Sequence, residues 1–241
     1  MTVKEFSDKF DILVDSYRRM KDFDNKEILD SIDFDEYEKS LFLTQAQREF
    51  VIGYYTGNNT YGFSFEEKEL IREALDALVY TYTTSTALTV SPDINDGKHL
   101  YTTFAIPTDL LWIVYEEIHY GTTDCVCATG RYAEVIPATH DELHRRLRNP
   151  FRGPRLRRVL RLNSADNKVE LVSDYPIGSY TLRYVKEPTP IILTDLPDDL
   201  TIGGENTAMT SALPDITHQA ILDLAVKLGI QSKVVGAPAS K

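Results

Sequence analysis

Residues 145–161, RRLRNPFRGPRLRRVLR, hold eight arginines in seventeen positions and no acid. Asn149-Pro150 and Gly153-Pro154 interrupt the run. Proline removes a backbone donor, clashes with the preceding turn and drives the residue before it out of the helical region, so the run cannot be one helix. The pattern predicts a short helix over residues 139–148, a Pro/Gly corner, and a strand over 156–162. The fold must therefore hold a sharp corner dense in positive charge.

The rest of the chain is acidic. It has 241 residues and a net charge of −11. The first 80 residues carry ten basic and eighteen acidic side chains, the arginine run carries +8, and the other 144 residues carry −11. Such a chain is a poor general binder of nucleic acid. A localised cationic patch on an anionic body suggests an acidic partner surface, which could belong to a neighbouring copy. The hydrophobic share of 42% and charged share of 26% are those of a globular protein, long enough for one large domain or two small ones. No run approaches the roughly eighteen apolar residues of a membrane span, and the opening MTVKEFSDKFD has no apolar signal region. The two cysteines, Cys125 and Cys127, stand one residue apart on an expected strand. A disulfide across one residue is strained, so buried, reduced thiols in a cytoplasmic setting are expected.

Apolar spacing predicts a first helix over residues 3–20, with Val3, Phe6, Phe10, Leu13, Val14 and Tyr17 at three- and four-residue steps. Residues 21–37 are Asp-rich and read as a linker or short helix. Thr44 with Gln47 has the form of a capping box for a helix over 45–55, closed by Gly57-Asn58-Asn59. Ser64 with Glu67 reads as a second box, opening a helix to about residue 82 with Leu70, Ile71, Ala74, Leu75, Leu78 and Val79 buried. Residues 81–90 are threonine-rich and β-branched. Strands are expected over 99–105, 110–119, 125–135, 156–162, 168–172 and 179–186. Residues 163–167 form a polar turn, and hence a hairpin. In the last strand Tyr180, Leu182 and Tyr184 alternate with Thr181, Arg183 and Val185, as when one face is buried. Residues 195–211 read as a loop. A final helix over 214–232 has an apolar stripe of Ile216, Ala220, Ile221, Leu224, Ala225 and Leu228, and residues 233–241 read as a mobile tail.

The fold class is therefore α+β. An N-terminal helical bundle (1–85) is completed by a C-terminal helix (213–232). Between them lies a β-rich, sandwich- or barrel-like insertion (86–195), followed by a loop (196–212). Packing back on the first helices covers the stripe of the last one most economically.

Site chemistry is sparse. His140 and His144 stand four apart, as zinc ligands on a helix do, but Asp141 follows the first where a metalloprotease needs Glu, and no third ligand follows. Cys125-Val-Cys127 has the wrong spacing for a redox or zinc pair. Asp93-Ile-Asn-Asp-Gly97 resembles the start of a calcium loop without its later ligands and reads as an Asx/Gly turn. Gly203-Gly204 has no phosphate cradle, and no nucleophile–base pair is visible by spacing. No enzyme activity, metal or cofactor is expected. The arginine run has three readings: a solvated edge neutralising acids of its own domain, a contact with another subunit or partner, and a contact with passing nucleic acid. Arginine pairs carboxylates bidentately and is enriched at interfaces. It also neutralises phosphate, though only Phe151 is at hand for base stacking. A stand-alone module whose basic corner contacts nucleic acid is the alternative to an assembly role.

The order of elements resembles the head-to-tail adaptor, or tail-tube-A-like, proteins of short-tailed bacteriophages. LFLTQAQREFVIGYY (41–55), PATHDELHRRLRNPFRGP (137–154), YPIGSYTLRYVKEPTPIIL (175–193) and LPDITHQAILDLAVKLGI (213–230) are similar to stretches of the neck ring proteins of crAss-like phages and cover about 70 of the 241 residues. The resemblance implies a virion protein of the neck, assembled in the host cytoplasm. It would form a ring of twelve copies that joins the portal to the next tail component and lines the channel through which DNA leaves without specific binding. No membrane partner is implied. A cyclic ring needs two different complementary surfaces on each subunit. Arg145, Arg146, Arg148, Arg152, Arg155, Arg157 and Arg158 are expected to supply much of the basic one.

Overall fold

A computed structural model describes residues 1–19, 33–59, 61–92, 98–122, 126–197 and 199–236. They form an α+β chain of two compact units, Met1–Leu78 with Glu187–Lys241, and Val79–Lys186.

In the first unit α1 (Val3–Arg19) buries Phe6, Phe10 and Val14 at the expected steps. Helix α2 (Glu36–Thr56) starts well before the expected residue 45. Its capping box is Asp35 with Glu38: the Glu38 N–H donates to Asp35 Oδ1 at 2.6 Å, and the Asp35 N–H reaches back to Glu38 Oε2 at 3.4 Å. Thr44 and Gln47 lie inside the helix and serve another purpose. Ser40 Oγ accepts from the Leu193 N–H at 3.0 Å, Thr44 Oγ1 accepts from the Ile191 N–H at 3.0 Å, and Gln47 Nε2 donates to the Thr189 carbonyl at 2.6 Å. Four- and three-residue steps put all three side chains on one helix face, where they satisfy the backbone of residues 189–193. Gly57, at φ 83°, closes the helix in the left-handed region.

The second expected helix is cut short. Helix α3 (Glu69–Leu75) passes into a 3-10 turn (Asp76–Leu78), and strand β1 (Val79–Thr84) follows. The run VYTYTT is β-branched and aromatic, and its pairing with another strand overrides the helical spacing before it. Of the expected stripe, Ile71, Ala74, Leu75 and Leu78 are buried, but Leu70 is exposed. The last helix, α5 (Asp215–Gly236), packs against α2 and α1 and runs four residues past the expected end. Its buried face is rotated from the expected one: Ile216 and Ala220 are exposed, while Thr217, His218, Leu222 and Val226 are buried with Ile221 and Ala225. His218 can face inward because its Nε2 meets the Leu213 carbonyl at 2.8 Å. Burial holds its imidazole below the usual histidine range. The folded state thus binds fewer protons than the unfolded one as pH falls below about 6.5, and this residue's contribution to stability declines there.

The second unit is one eight-stranded sheet. After β1 come β2 (Thr89–Pro92), β3 (Leu100–Ala105), β4 (Leu110–Tyr120), β5 (Tyr132–Pro137), β6 (Arg158–Ser164), β7 (Lys168–Ser173) and β8 (Ile177–Lys186). The order is β1-β8-β4-β5-β6-β7-β3-β2, antiparallel except for β5 and β6. The sheet curls around its own core: Phe104 of β3 and Tyr180 of β8 lie far apart in strand order, yet their ring centroids are 5.6 Å apart. The β6–β7 hairpin turns through Asp166 (φ 61°) and Asn167 (φ 52°), the residue types that tolerate this region. Tyr180, Leu182 and Tyr184 are buried as their alternation implies, and Val185 is buried too.

Where β4 and β8 end, Gly121 and Gly178 approach so closely that a Cβ on Gly178 would lie 2.9 Å from Gly121 Cα and N. Gly178→Ala should push the strands apart and cost about 1–3 kcal/mol, read as a lower urea midpoint. An unchanged midpoint would rule out this contact as a constraint.

The expected strand over 125–135 is shorter. Residues 126–130 form a turn, and β5 begins at Tyr132. Cys127 lies in that turn, exposed and disulfide-bonded, which corrects the expectation of a buried, reduced strand thiol. The strand reading fails there because residues 126–130 turn. The other cysteine, Cys125, the Asp93–Gly97 motif and most of the stretch 21–37 lie outside the described residues. Among the described residues no helix is long and apolar enough to cross a membrane.

Candidate functional site

The arginine run forms the connection between the parallel neighbours β5 and β6. Residues 140–142 are turn, so α4 (Leu143–Arg148) is shorter than expected. Leu143 and Leu147 pack over Leu160, Leu162 and Val172, on the face of β6 opposite the curled core. This makes β6 a strand buried on both sides and anchors the corner to it.

The Pro/Gly corner folds back over the end of α4. The Arg152 and Gly153 N–H groups donate to the Asn149 carbonyl at 3.0 and 2.9 Å, and the Phe151 N–H donates to Asn149 Oδ1 at 2.9 Å. A Cβ on Gly153 would sit 3.2 Å from the Arg146 carbonyl oxygen, so the approach relies on glycine. Residues 155–158 then turn tightly, with Arg155 and Arg158 exchanging backbone hydrogen bonds at 2.8 and 2.9 Å.

This geometry divides the arginines. Arg146 is half-buried: Nε and Nη2 donate to Glu142 Oε2 at 3.0 and 2.9 Å, and Nη1 donates to the Pro137 carbonyl at 3.1 Å. The Arg146 guanidinium holds the half-buried Glu142 carboxyl below the usual range. Arg158 donates from Nε to the Gly153 carbonyl at 3.0 Å and from Nη2 to the Phe151 carbonyl at 2.6 Å. These two brace the corner. Arg161 points into the curled core, where Nη1 lies 2.9 Å from Glu116 Oε2 and the Tyr180 hydroxyl donates to Glu116 Oε1. Burial raises the Glu116 carboxyl above its ordinary range, and Arg161 and Tyr180 oppose that rise. The same burial, with the carboxylate beside it, pushes the Tyr180 hydroxyl up.

The remaining arginines face outward. Arg145 pairs with Glu142 at 2.9 Å but leaves its side chain 74% exposed. Arg155 caps the Pro150 carbonyl and lies 5.5 Å from the centre of the Phe151 ring. Arg148, Arg152 and Arg157 are exposed and form no ion pair among the described residues. Arg146, Arg152 and Arg158 also converge on a cavity of about 210 Å³ whose floor is Ile136 and Leu160. Of the seven arginines expected at a basic surface, Arg145, Arg148, Arg152, Arg155 and Arg157 are exposed, and Arg146 and Arg158 hold the corner in shape.

His140 Nε2 lies 2.9 Å from the Asn163 carbonyl. Among the described residues no group of three His, Cys, Asp or Glu side chains is placed to hold a metal. Phe151, the one aromatic of the run, is 76% exposed between the arginines. Only its position inside a charge run signals that it cannot be core.

A family model described as phage tail ring protein 3/4 matches residues 1–241. The chain is 44% identical over 234 residues to Ring protein 3 of Bacteroides phage crAss001, covering 97% of this chain and 96% of that relative. It is 28% identical over 237 residues to Ring protein 4/5 of the same phage, covering 95% and 92%.

Proposed function

Because the chain belongs to the phage tail ring protein 3/4 family, whose members are structural ring proteins of the virion, we propose that its ring joins the capsid portal to the tail and lines the channel through which DNA leaves. Twelve copies is the number we assign to that ring. The observation that carries the reading is the outward set Arg145, Arg148, Arg152, Arg155 and Arg157, fixed by an internally braced corner on a chain of net charge −11. Charge complementarity steers encounter and fixes register between unlike surfaces, and a cyclic assembly requires two unlike surfaces on every subunit. The anionic remainder of the chain suits a channel that lets DNA pass without adhering.

We read the helical unit as a body in which α5 completes a bundle with α1 and α2, and the sheet unit as the part that presents the corner. Native mass measurement of the purified protein, alone and mixed with portal, tests the assembly. A closed oligomer that forms a defined complex with portal is expected. A monomer that ignores portal at every concentration would refute it.

A further inference from the structure

Two exposed features of this chain match each other in shape and charge. The first is the Phe151 knob. Its backbone is clamped on both sides, by the Asn149 side chain at 2.9 Å and by Arg158 at 2.6 Å, so the 76% exposed ring projects from a fixed backbone. Arg155 lies 5.5 Å from its ring centre, and Arg148 and Arg152, three residues before it and next to it in sequence, are exposed. The second is a cavity of about 190 Å³ in the helical unit, lined by Tyr61, Phe63, Lys68, Leu70 and Ile71. Its apolar rim is open to solvent: Tyr61 is 53%, Phe63 40% and Leu70 49% exposed. Lys68 lays its ammonium 4.2 Å from the Phe63 ring centre. The flank is acidic, with five acids and two bases between Glu66 and Asp76, and Glu66, Glu67, Glu69 and Glu73 all exposed.

We propose that Phe151 of one copy enters the Tyr61–Phe63–Leu70–Ile71 cavity of the next copy, with the neighbouring arginines facing its glutamates. This rests on the ring reading and names the second surface of that ring. The volume fits, since a cavity of about 150 Å³ lined by apolar side chains accepts benzene. A clamped aromatic in a pocket, flanked by opposite charges, is the composition of an interface hot spot. A knob and a hole on different parts of one subunit make a heterologous contact, which closes into a ring when the rotation allows. Contiguous exposed apolar surface on a soluble chain is itself a mark of such contacts.

The test replaces Phe151 with the photo-reactive p-benzoylphenylalanine in the full chain and irradiates the purified protein over a concentration series. Cross-linked peptides should join position 151 to residues 61–71, and the products should climb past the dimer. Leu70→Asp, at an exposed site, should lower the cross-link yield at least tenfold with an unchanged circular dichroism spectrum. Undiminished yield overturns the pairing, and a ladder ending at the dimer would mean a reciprocal two-fold contact and overturns its place between successive copies of a ring. Cross-links elsewhere within an oligomer of ring mass overturn the pairing and leave the ring standing. A monomer at all concentrations, without cross-links, overturns both.

Discussion

Arg161→Leu is expected to destabilise the sheet unit by about 3–5 kcal/mol, because it leaves the Glu116 carboxylate buried without its counter-charge. Glu116 is 6% exposed and the Arg161 side chain 11% exposed, so water cannot take over the pairing. The Tyr180 hydroxyl remains as a donor to Glu116, but one neutral donor does not replace a guanidinium. The loss should depend on pH. Burial already raises the Glu116 carboxyl above the ordinary range, and removing Arg161 takes away a lowering influence. The folded variant then binds a proton more readily than the unfolded chain between the ordinary Glu pKa, about 4.3, and the raised folded value. Its stability falls as pH rises through that window, so the deficit is largest near neutrality and shrinks towards pH 4. Urea unfolding at both pH values measures this. The double variant Arg161→Leu with Glu116→Leu should regain much of the loss, since a matched apolar pair carries no orphaned charge. A single variant as stable as the parent at pH 7 would contradict the buried pair.

Reversing two outward arginines, Arg152→Glu with Arg157→Glu, is expected to weaken ring assembly by about a hundredfold or more, because like charges set against each other across an interface cost several kcal/mol. The fold should barely respond, within about 0.5 kcal/mol, as neither side chain pairs with a described residue and both are exposed. Arg158→Glu is the opposite control. It removes the donors to the Phe151 and Gly153 carbonyls and should damage the corner before assembly is reached. The parent's assembly should itself weaken with ionic strength, since rim charges are screened over about 8–10 Å at moderate salt. Native mass against concentration separates these outcomes. Undisturbed oligomers from the double reversal would mean that the arginine corner takes no part in the contact.

What could be read from the residues was mostly local. The Phe6/Phe10/Val14 spacing gave α1, the Tyr180/Leu182/Tyr184 alternation gave the inner face of β8, and the polar turn at 163–167 gave the β6–β7 hairpin. The misreadings arise where a distant segment changes what a side chain is for. Thr44 and Gln47 have the spacing of a cap, but residues 189–193 arrive from more than a hundred positions away and use them as backbone partners. His218 looks polar on a helical wheel, yet the Leu213 carbonyl lets it turn inward and rotates the whole buried face of α5. The arginine run shows the same limit. Its charge and its Pro/Gly break are plain in the sequence. Which arginines brace the corner, which one enters the core and which face outward depends on carbonyls and a carboxylate supplied by tertiary structure. The family resemblance was carried by the structural stretches themselves, and the full-length match to ring proteins agrees with it.

Single-particle imaging of the virion neck tests the assembly role most directly. The chain is expected as a closed ring adjoining the portal, with Arg148, Arg152 and Arg157 within ion-pairing reach of glutamates or aspartates on a neighbouring subunit or ring. A ring found away from the portal, or an arginine corner open to bulk solvent in the assembled particle, would contradict it.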